Sequence, residues 1–141
     1  MSLDVIVYIL TALAAVVIVL TRLRLGRDSD GAGSIQVAHG LINVHTTAGV
    51  LALVIWVLFL IADDETTLGG PLVGVIALVF WWIVVIAGLL ILVRWLPSRG
   101  KHASEGTTDS WSEGPGLSIL AHVGMLVGVC VFTFAYTTAA V

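Results

Sequence analysis

The chain has 141 residues, of which 59% are hydrophobic and only 11% charged, with a formal net charge of −3. A water-soluble domain carries about a quarter charged residues, so this composition excludes an ordinary soluble enzyme or a nucleic-acid-binding domain and points to lipid as the solvent. The charges are also segregated, leaving uncharged runs from Val5 to Thr21, Gly31 to Ala62, Thr66 to Val93 and Gly114 to Val141. Each run is long enough for one membrane-spanning helix, which needs roughly 20 apolar residues. Lipid offers the backbone no hydrogen bonds, so the spans are expected to be helical. The reading is an all-α membrane protein, a four-helix bundle forming one transmembrane domain over residues 1–141.

The first span is expected near residues 5–23. It is the shortest, and Arg22 and Arg24 can snorkel to extend it. Its leader carries Asp4 and no Lys or Arg, unlike the positive start of a cleaved signal peptide. The following loop holds Asp28, Asp30, Gly31 and Gly33 and ends at Ser34, a suitable N-cap. The second span is expected near 35–62. An acidic loop, Asp63-Asp64-Glu65, follows it, and Gly69-Gly70-Pro71 precedes a third span near 72–96. Pro71 suits a first helical turn, where a missing N–H costs nothing. Residues 97–115, PSRGKHASEGTTDSWSEGP, are mixed in charge and rich in Gly, Ser and Thr, so a flexible loop is expected there. The last span is expected near 116–140. It contains the lone Cys130, so no disulfide forms within the chain.

All six Lys and Arg residues lie in the first and third loops, and the acidic loop has none. The positive-inside rule then puts those two loops in the cytoplasm and both termini on the non-cytoplasmic side. The plasma, or inner, membrane is the expected location. The two hairpins would share one topology, and Ile35-Gln36-Val37-Ala38-His39 echoes Ser118-Ile119-Leu120-Ala121-His122 as a candidate internal repeat.

No Asp, Glu or Lys falls inside a span, which argues against a proton pump, an ion-coupled transporter or a voltage sensor. No zinc-protease His pair, phosphate loop or nucleophilic triad is present, so no catalytic residue is assigned. The remaining polar centres are histidines and a stripe. Gln36, His39, Asn43 and Thr46 recur at three- and four-residue spacing on one face of the second span. Polar groups there must face a protein partner, a water-filled crevice or lipid headgroups, since lipid tails offer no hydrogen bonds. Trp81 and Trp82 fall near mid-bilayer, where at least one should face a neighbouring helix or subunit. These six residues are the candidate partner contacts. His45 lies on another face with Ala48, Gly49 and Ala52. On the last span Ser118, His122, Met125, Val129 and Thr133 line one face, with Tyr136 near its end.

Two readings of the histidines stand side by side. His39, His45 and His122 could serve a haem-binding or quinone-handling membrane anchor subunit, and a b-type haem takes imidazoles from facing helices at matched depth. His39 and His45 point about 120° apart on the helix, so they do not share a metal. His39 with His122 is the better-matched pair by position, and His45 with His122 serves if the second helix enters deeper. In the other reading the histidines hydrogen-bond across helices or sit at the interface, and the chain holds no cofactor. His102 lies in the loop and reads as solvated. Gly124-x-x-x-Gly128 and Ala48-x-x-x-Ala52 are small-residue patterns that favour close helix approach, and Trp56 and Trp95 suit aromatic belts at the membrane faces.

The stretches AHGLINVHTTAGVLALVIWVLFL and LSILAHVGMLVGVCVFTFAYTTAAV, with the Trp81–Trp82 pair between them, resemble small actinobacterial four-helix membrane proteins. These are accessory components of the cytochrome bcc–aa3 respiratory supercomplex, of the supercomplex association factor type. The resemblance implies a non-catalytic subunit packed against other integral respiratory subunits in the plasma membrane. It carries over no binding residues.

The topology is checked by cysteine labelling or reporter fusions. Sites in Asp63–Glu65 should report outside, and Arg24 and Ser104 inside. A cytoplasmic signal from the acidic loop would overturn the orientation.

Overall fold

The computed structural model describes residues 1–27, 39–99 and 115–141. The described residues form four helices: α1 (Leu3–Arg27), α2 (His39–Ile61), α3 (Pro71–Arg99) and α4 (Pro115–Thr137). Each holds a stretch long and apolar enough to cross a membrane, which makes this a multi-pass membrane protein. The outward faces fit that solvent. Leu13, Leu20, Leu72, Val127 and Phe134 are all exposed, a distribution that water would penalise and hydrocarbon does not.

The helix limits follow local chemistry. Asp4 stands in the first turn of α1, where its charge meets the positive end of the helix dipole. Pro71 begins α3, as its missing N–H allows. That helix continues past Pro97 to Arg99, beyond the boundary expected for the flexible loop. α4 stops at Thr137 rather than near 140. Ala139 has φ 52°, and the Ala140 and Ala139 amides donate to the Ala135 and Tyr136 carbonyls at 2.9 and 3.1 Å. This is a Schellman closure made without the usual glycine. Ser34 and the rest of 28–38, and the loop residues 100–114 including His102 and Trp111, lie outside the described residues.

The helices run up and down, each packed on its neighbours in the order α1, α2, α3, α4 and back to α1, so α2 and α4 face each other across a diagonal. The α2–α3 contact is the broadest and the α1–α2 seam the narrowest. Between α2 and α3 the chain turns tightly. The Asp63 side chain accepts the Glu65 amide at 3.2 Å, and Thr66 donates through both its amide and its hydroxyl to the Asp63 carbonyl. A Cβ at Gly69 would collide with that same carbonyl, so the turn requires glycine there.

The half of the bundle nearest this loop has an aromatic core. Phe132 of α4 packs between Trp56 at 5.2 Å and Trp81 at 5.5 Å, and Phe59 joins Trp56 to Tyr136. These separations are the usual range for attractive ring pairs. Trp56 is fully buried, not placed in an aromatic belt as expected. Its indole N–H donates to the Thr11 hydroxyl of α1 at 3.2 Å. That bond explains the difference, since a buried indole needs an acceptor and α1 supplies one. Tyr8 and Tyr136 donate to the Leu60 and Pro71 carbonyls, tying α1 to α2 and α4 to α3 at this end.

Close approach comes from glycines other than those the spacing suggested. Gly124 and Gly128 have nothing within 4 Å of where a Cβ would stand, so no neighbour among the described residues requires glycine at either position. Gly49 instead receives Ile18 of α1 at 3.2 Å, and Gly74 lies under the rings of Tyr136 and Phe59. Ala48 and Ala52 are buried in the core as their pattern suggests.

A paired substitution tests this packing. Gly74→Ala should destabilise the detergent-solubilised protein by about 1–3 kcal/mol through overpacking. Gly124→Ala should be neutral or stabilise by up to about 1 kcal/mol, from helix propensity alone. Thermal unfolding followed by circular dichroism measures both. Equal effects would contradict the packing described.

Candidate functional site: a histidine pair across the bundle diagonal

His45 is 2% exposed and His122 9% exposed. Both lie in the half of the bundle away from the aromatic core, on the diagonal helices α2 and α4. Each stands on its helix's inner face. Ala48 and Ala52 follow His45, and Met125 and Val129 follow His122, all of them buried. The two imidazole centroids are 6.3 Å apart and the ring planes are tilted by 44°.

The third wall is α3, where Gly88 makes the arrangement possible. A Cβ on Gly88 would stand 2.8 Å from His122 Cδ2, 3.3 Å from His122 Nε2 and 3.4 Å from His45 Nε2. Both Nε2 atoms therefore converge on one spot in front of the α3 backbone. Any side chain at position 88 would push at least one imidazole away.

The pair differs from the one that position in the sequence favours. His39 is the first described residue of α2, and His45 lies six residues further in. His122 lies seven residues beyond the start of α4 at Pro115. The depths of His45 and His122 therefore agree, each roughly 9–10 Å into its helix.

The other candidate residues have separate fates. Gln36 lies outside the described residues. The Asn43 side chain is exposed and accepts a long hydrogen bond, 3.5 Å, from Arg22 Nη1 of α1. Thr46 is half-buried and donates to the Ile42 carbonyl one turn back at 2.9 Å. That back-bond serves its hydroxyl without any partner protein. Trp82 donates to the Thr133 hydroxyl of α4 at 3.3 Å. Trp81 is fully buried and packs on this chain's own Phe132. Its indole N–H has no acceptor among the described residues.

Gly88 and Arg22 were not singled out by sequence reasoning. A signal for Gly88 existed, because glycine inside a helix costs about 1 kcal/mol relative to alanine and calls for a packing reason. Arg22 was read only as a snorkelling flank.

Two converging imidazoles are a metal-ligand arrangement. A metal at roughly 2 Å from each of two imidazole nitrogens places the ring centroids about 6 Å apart, close to the separation found. Zinc and similar ions in structural sites want four protein donors, yet no group of three His, Cys, Asp or Glu side chains is found among the described residues. Two axial imidazoles suit a metal that arrives with its remaining ligands, as haem iron does. The small residues around the pair do not leave room for such a macrocycle, because Ile18 packs on Gly49 and the α3 backbone at Gly88 stands against both imidazoles.

Comparison with models of known protein families, with curated proteins and with solved structures finds no match in any of the three. The site's chemistry is therefore argued from its own residues.

The convergence on Gly88 has a direct check. In protein labelled with 15N at histidine, Gly88→Ala should shift the imidazole signals of His45 and His122 together and leave those of His39 and His102 in place. Unmoved His45 and His122 signals would separate Gly88 from the pair.

Proposed function

We propose that this protein is a membrane-embedded electron-transfer component whose His45 and His122 would hold a b-type haem once α3 at Gly88 and Ile18 of α1 move back from the imidazoles. It has no reaction of its own. The observation that carries this reading is the meeting of two buried imidazoles across the bundle diagonal, with centroids 6.3 Å apart. Four-helix bundles place cofactors between side chains of facing helices. In hydrocarbon an imidazole is a costly residue whose presence calls for a role. A haem would supply one-electron redox chemistry. The chain's own part is to present two neutral nitrogens, hold them at fixed depth and keep water away from them with the surrounding aliphatic wall.

The orientation that best fits the basic loops puts both termini outside and the histidine pair nearer the cytoplasm. The proposed location is the plasma membrane. The proposed neighbours are other integral membrane subunits of a respiratory chain, as the resemblance to supercomplex accessory proteins implies.

A second reading is favoured by Asn43, a polar side chain exposed on α2 where a partner could reach it. Here the chain is a non-catalytic accessory subunit of a cytochrome bcc–aa3 type supercomplex. Asn43 and Trp82 would touch other subunits, joined by Gln36 and His39, and no cofactor would be bound. The histidine pair would then serve only to pack α2 on α4.

One purification distinguishes the two. Tagged protein taken from native, haem-replete membranes in mild detergent should show a Soret band and a sharp reduced α-band. His45→Leu and His122→Leu should each abolish that six-coordinate spectrum, while His39→Leu should leave it unchanged. A colourless wild type sinks the haem reading, and its recovery within a much larger respiratory complex would establish the accessory one.

A further inference from the structure

We propose that Arg22 and Asn43 form a binding site for the phosphate of one anionic phospholipid, on the outer surface of α1 and α2. Arg22 is one residue from the end of the apolar stretch of α1, Leu3–Leu23, and Asn43 stands three residues into that of α2, Gly40–Ile61. Both therefore lie within about one helical turn, or ~5 Å, of the level where hydrocarbon gives way to headgroups. Both side chains are exposed, and the 3.5 Å hydrogen bond between them joins the two helices. The site lies on the surface of the bundle and needs no opening between helices.

Charge at this end of the bundle calls for an anion. The acidic side chains among the described residues are Asp4, Asp63, Asp64 and Glu65. They belong to the start of α1 and the turn after α2, which share the opposite end. All six Lys and Arg residues of the chain follow α1 or lie towards and beyond the end of α3, on the side where Arg22 stands. The partner that Arg22 does have, Asn43, is neutral. A cation at the edge of hydrocarbon is stabilised by a counter-charge, and a lipid headgroup reaches this level.

Asn43 fits the same ligand. Arginine only donates, so the Asn43 atom that faces it is the carbonyl oxygen, and the amide NH2 is turned away from the guanidinium. The other N–H groups of Arg22 and the NH2 of Asn43 then make one surface of donors, and the oxygens of a phosphodiester only accept. A guanidinium presents those donors in a planar fork that suits phosphate. Deeper in the membrane, Val19 lies one turn before Arg22 and Val50 two turns after Asn43, both exposed, and they offer an acyl chain an apolar surface. Phosphate donors above apolar surface match a phospholipid rather than a soluble anion. A choline headgroup would bring a second cation beside the guanidinium, so an anionic headgroup is preferred.

The test is native mass spectrometry of delipidated protein in neutral detergent, titrated with dioleoylphosphatidylglycerol, dioleoylphosphatidylcholine or inorganic phosphate. The first phosphatidylglycerol should bind wild type about fivefold more tightly than phosphatidylcholine, the preference that one basic residue gives at an anionic surface. Arg22→Gln should remove that preference. Asn43→Asp should remove it too, because it hands the guanidinium a carboxylate of its own. Arg22→Lys should keep part of it, and Lys101→Gln, which takes the same charge from the sequence after α3, should keep all of it. Circular dichroism in lipid-free detergent checks that each variant retains its helices. Equal binding of the two lipids by wild type would overturn the site, as would a preference that survives Arg22→Gln. A loss just as large in Lys101→Gln would overturn it as well, since a diffuse basic rim would then be responsible. Displacement of phosphatidylglycerol by millimolar inorganic phosphate would mark a soluble-anion site instead. None of these outcomes depends on what the histidine pair holds.

Discussion

Helices in lipid gain no hydrophobic free energy by meeting one another, because the hydrocarbon they leave is as apolar as the side chains they join. What holds this bundle together must therefore be close packing and the few hydrogen bonds that span helices. Each seam with a described cross-helix bond has it near a helix end or beside a close contact. Trp56 bonds Thr11, Trp82 bonds Thr133, and the two tyrosines cap the loop end. Such bonds are worth about 0.6 kcal/mol each on average in membrane proteins, so they orient the helices more than they drive association. Packing carries the larger share, and it is concentrated in the aromatic core around Phe132.

The same constraint explains the division of the bundle into two halves. Near the acidic loop, large rings fill the centre and the helices are tied by tyrosines. In the other half the central positions carry Ala48, Gly49, Gly88 and the two histidines. Small residues there bring backbones close and leave polar nitrogens pointing inward. A bundle built only to pack would gain more contact from leucine at 45 and 122. The rigid aromatic half supports a half that is shaped around imidazoles.

The polar residues of α2 show how a single helix can carry groups with different fates. Asn43, His45 and Thr46 stand within four positions of one another. Thr46 spends its hydroxyl on its own helix, Asn43 turns outward to Arg22, and His45 turns inward to His122 and Gly88. Spacing placed Asn43 and Thr46 on one face and His45 on another. It could not say which face the neighbouring helices would cover. For Trp56 and Gly124 the answer reversed the expectation, because each lies in a helix that is apolar all round.

Four apolar helices, the acidic loop and the separation of basic from acidic loops were legible in the sequence, because lipid demands long uncharged runs and helices close their own backbone hydrogen bonds. Pro71 and the turn glycines were legible for similarly local reasons. The three transmembrane histidines could be identified as the polar residues most in need of a role, and the inner faces of His45 and His122 could be drawn by periodicity. The pairing was decided by tertiary structure alone. In a span with apolar residues on every side, periodicity gives each residue an angle but no reference direction. Matching depth between helices also depends on where each helix begins. The contact of Gly88 with both imidazoles, and the level of Arg22 beside them, arise from three separate helices meeting. Such a meeting is a property of packing, which no single stretch of the chain contains.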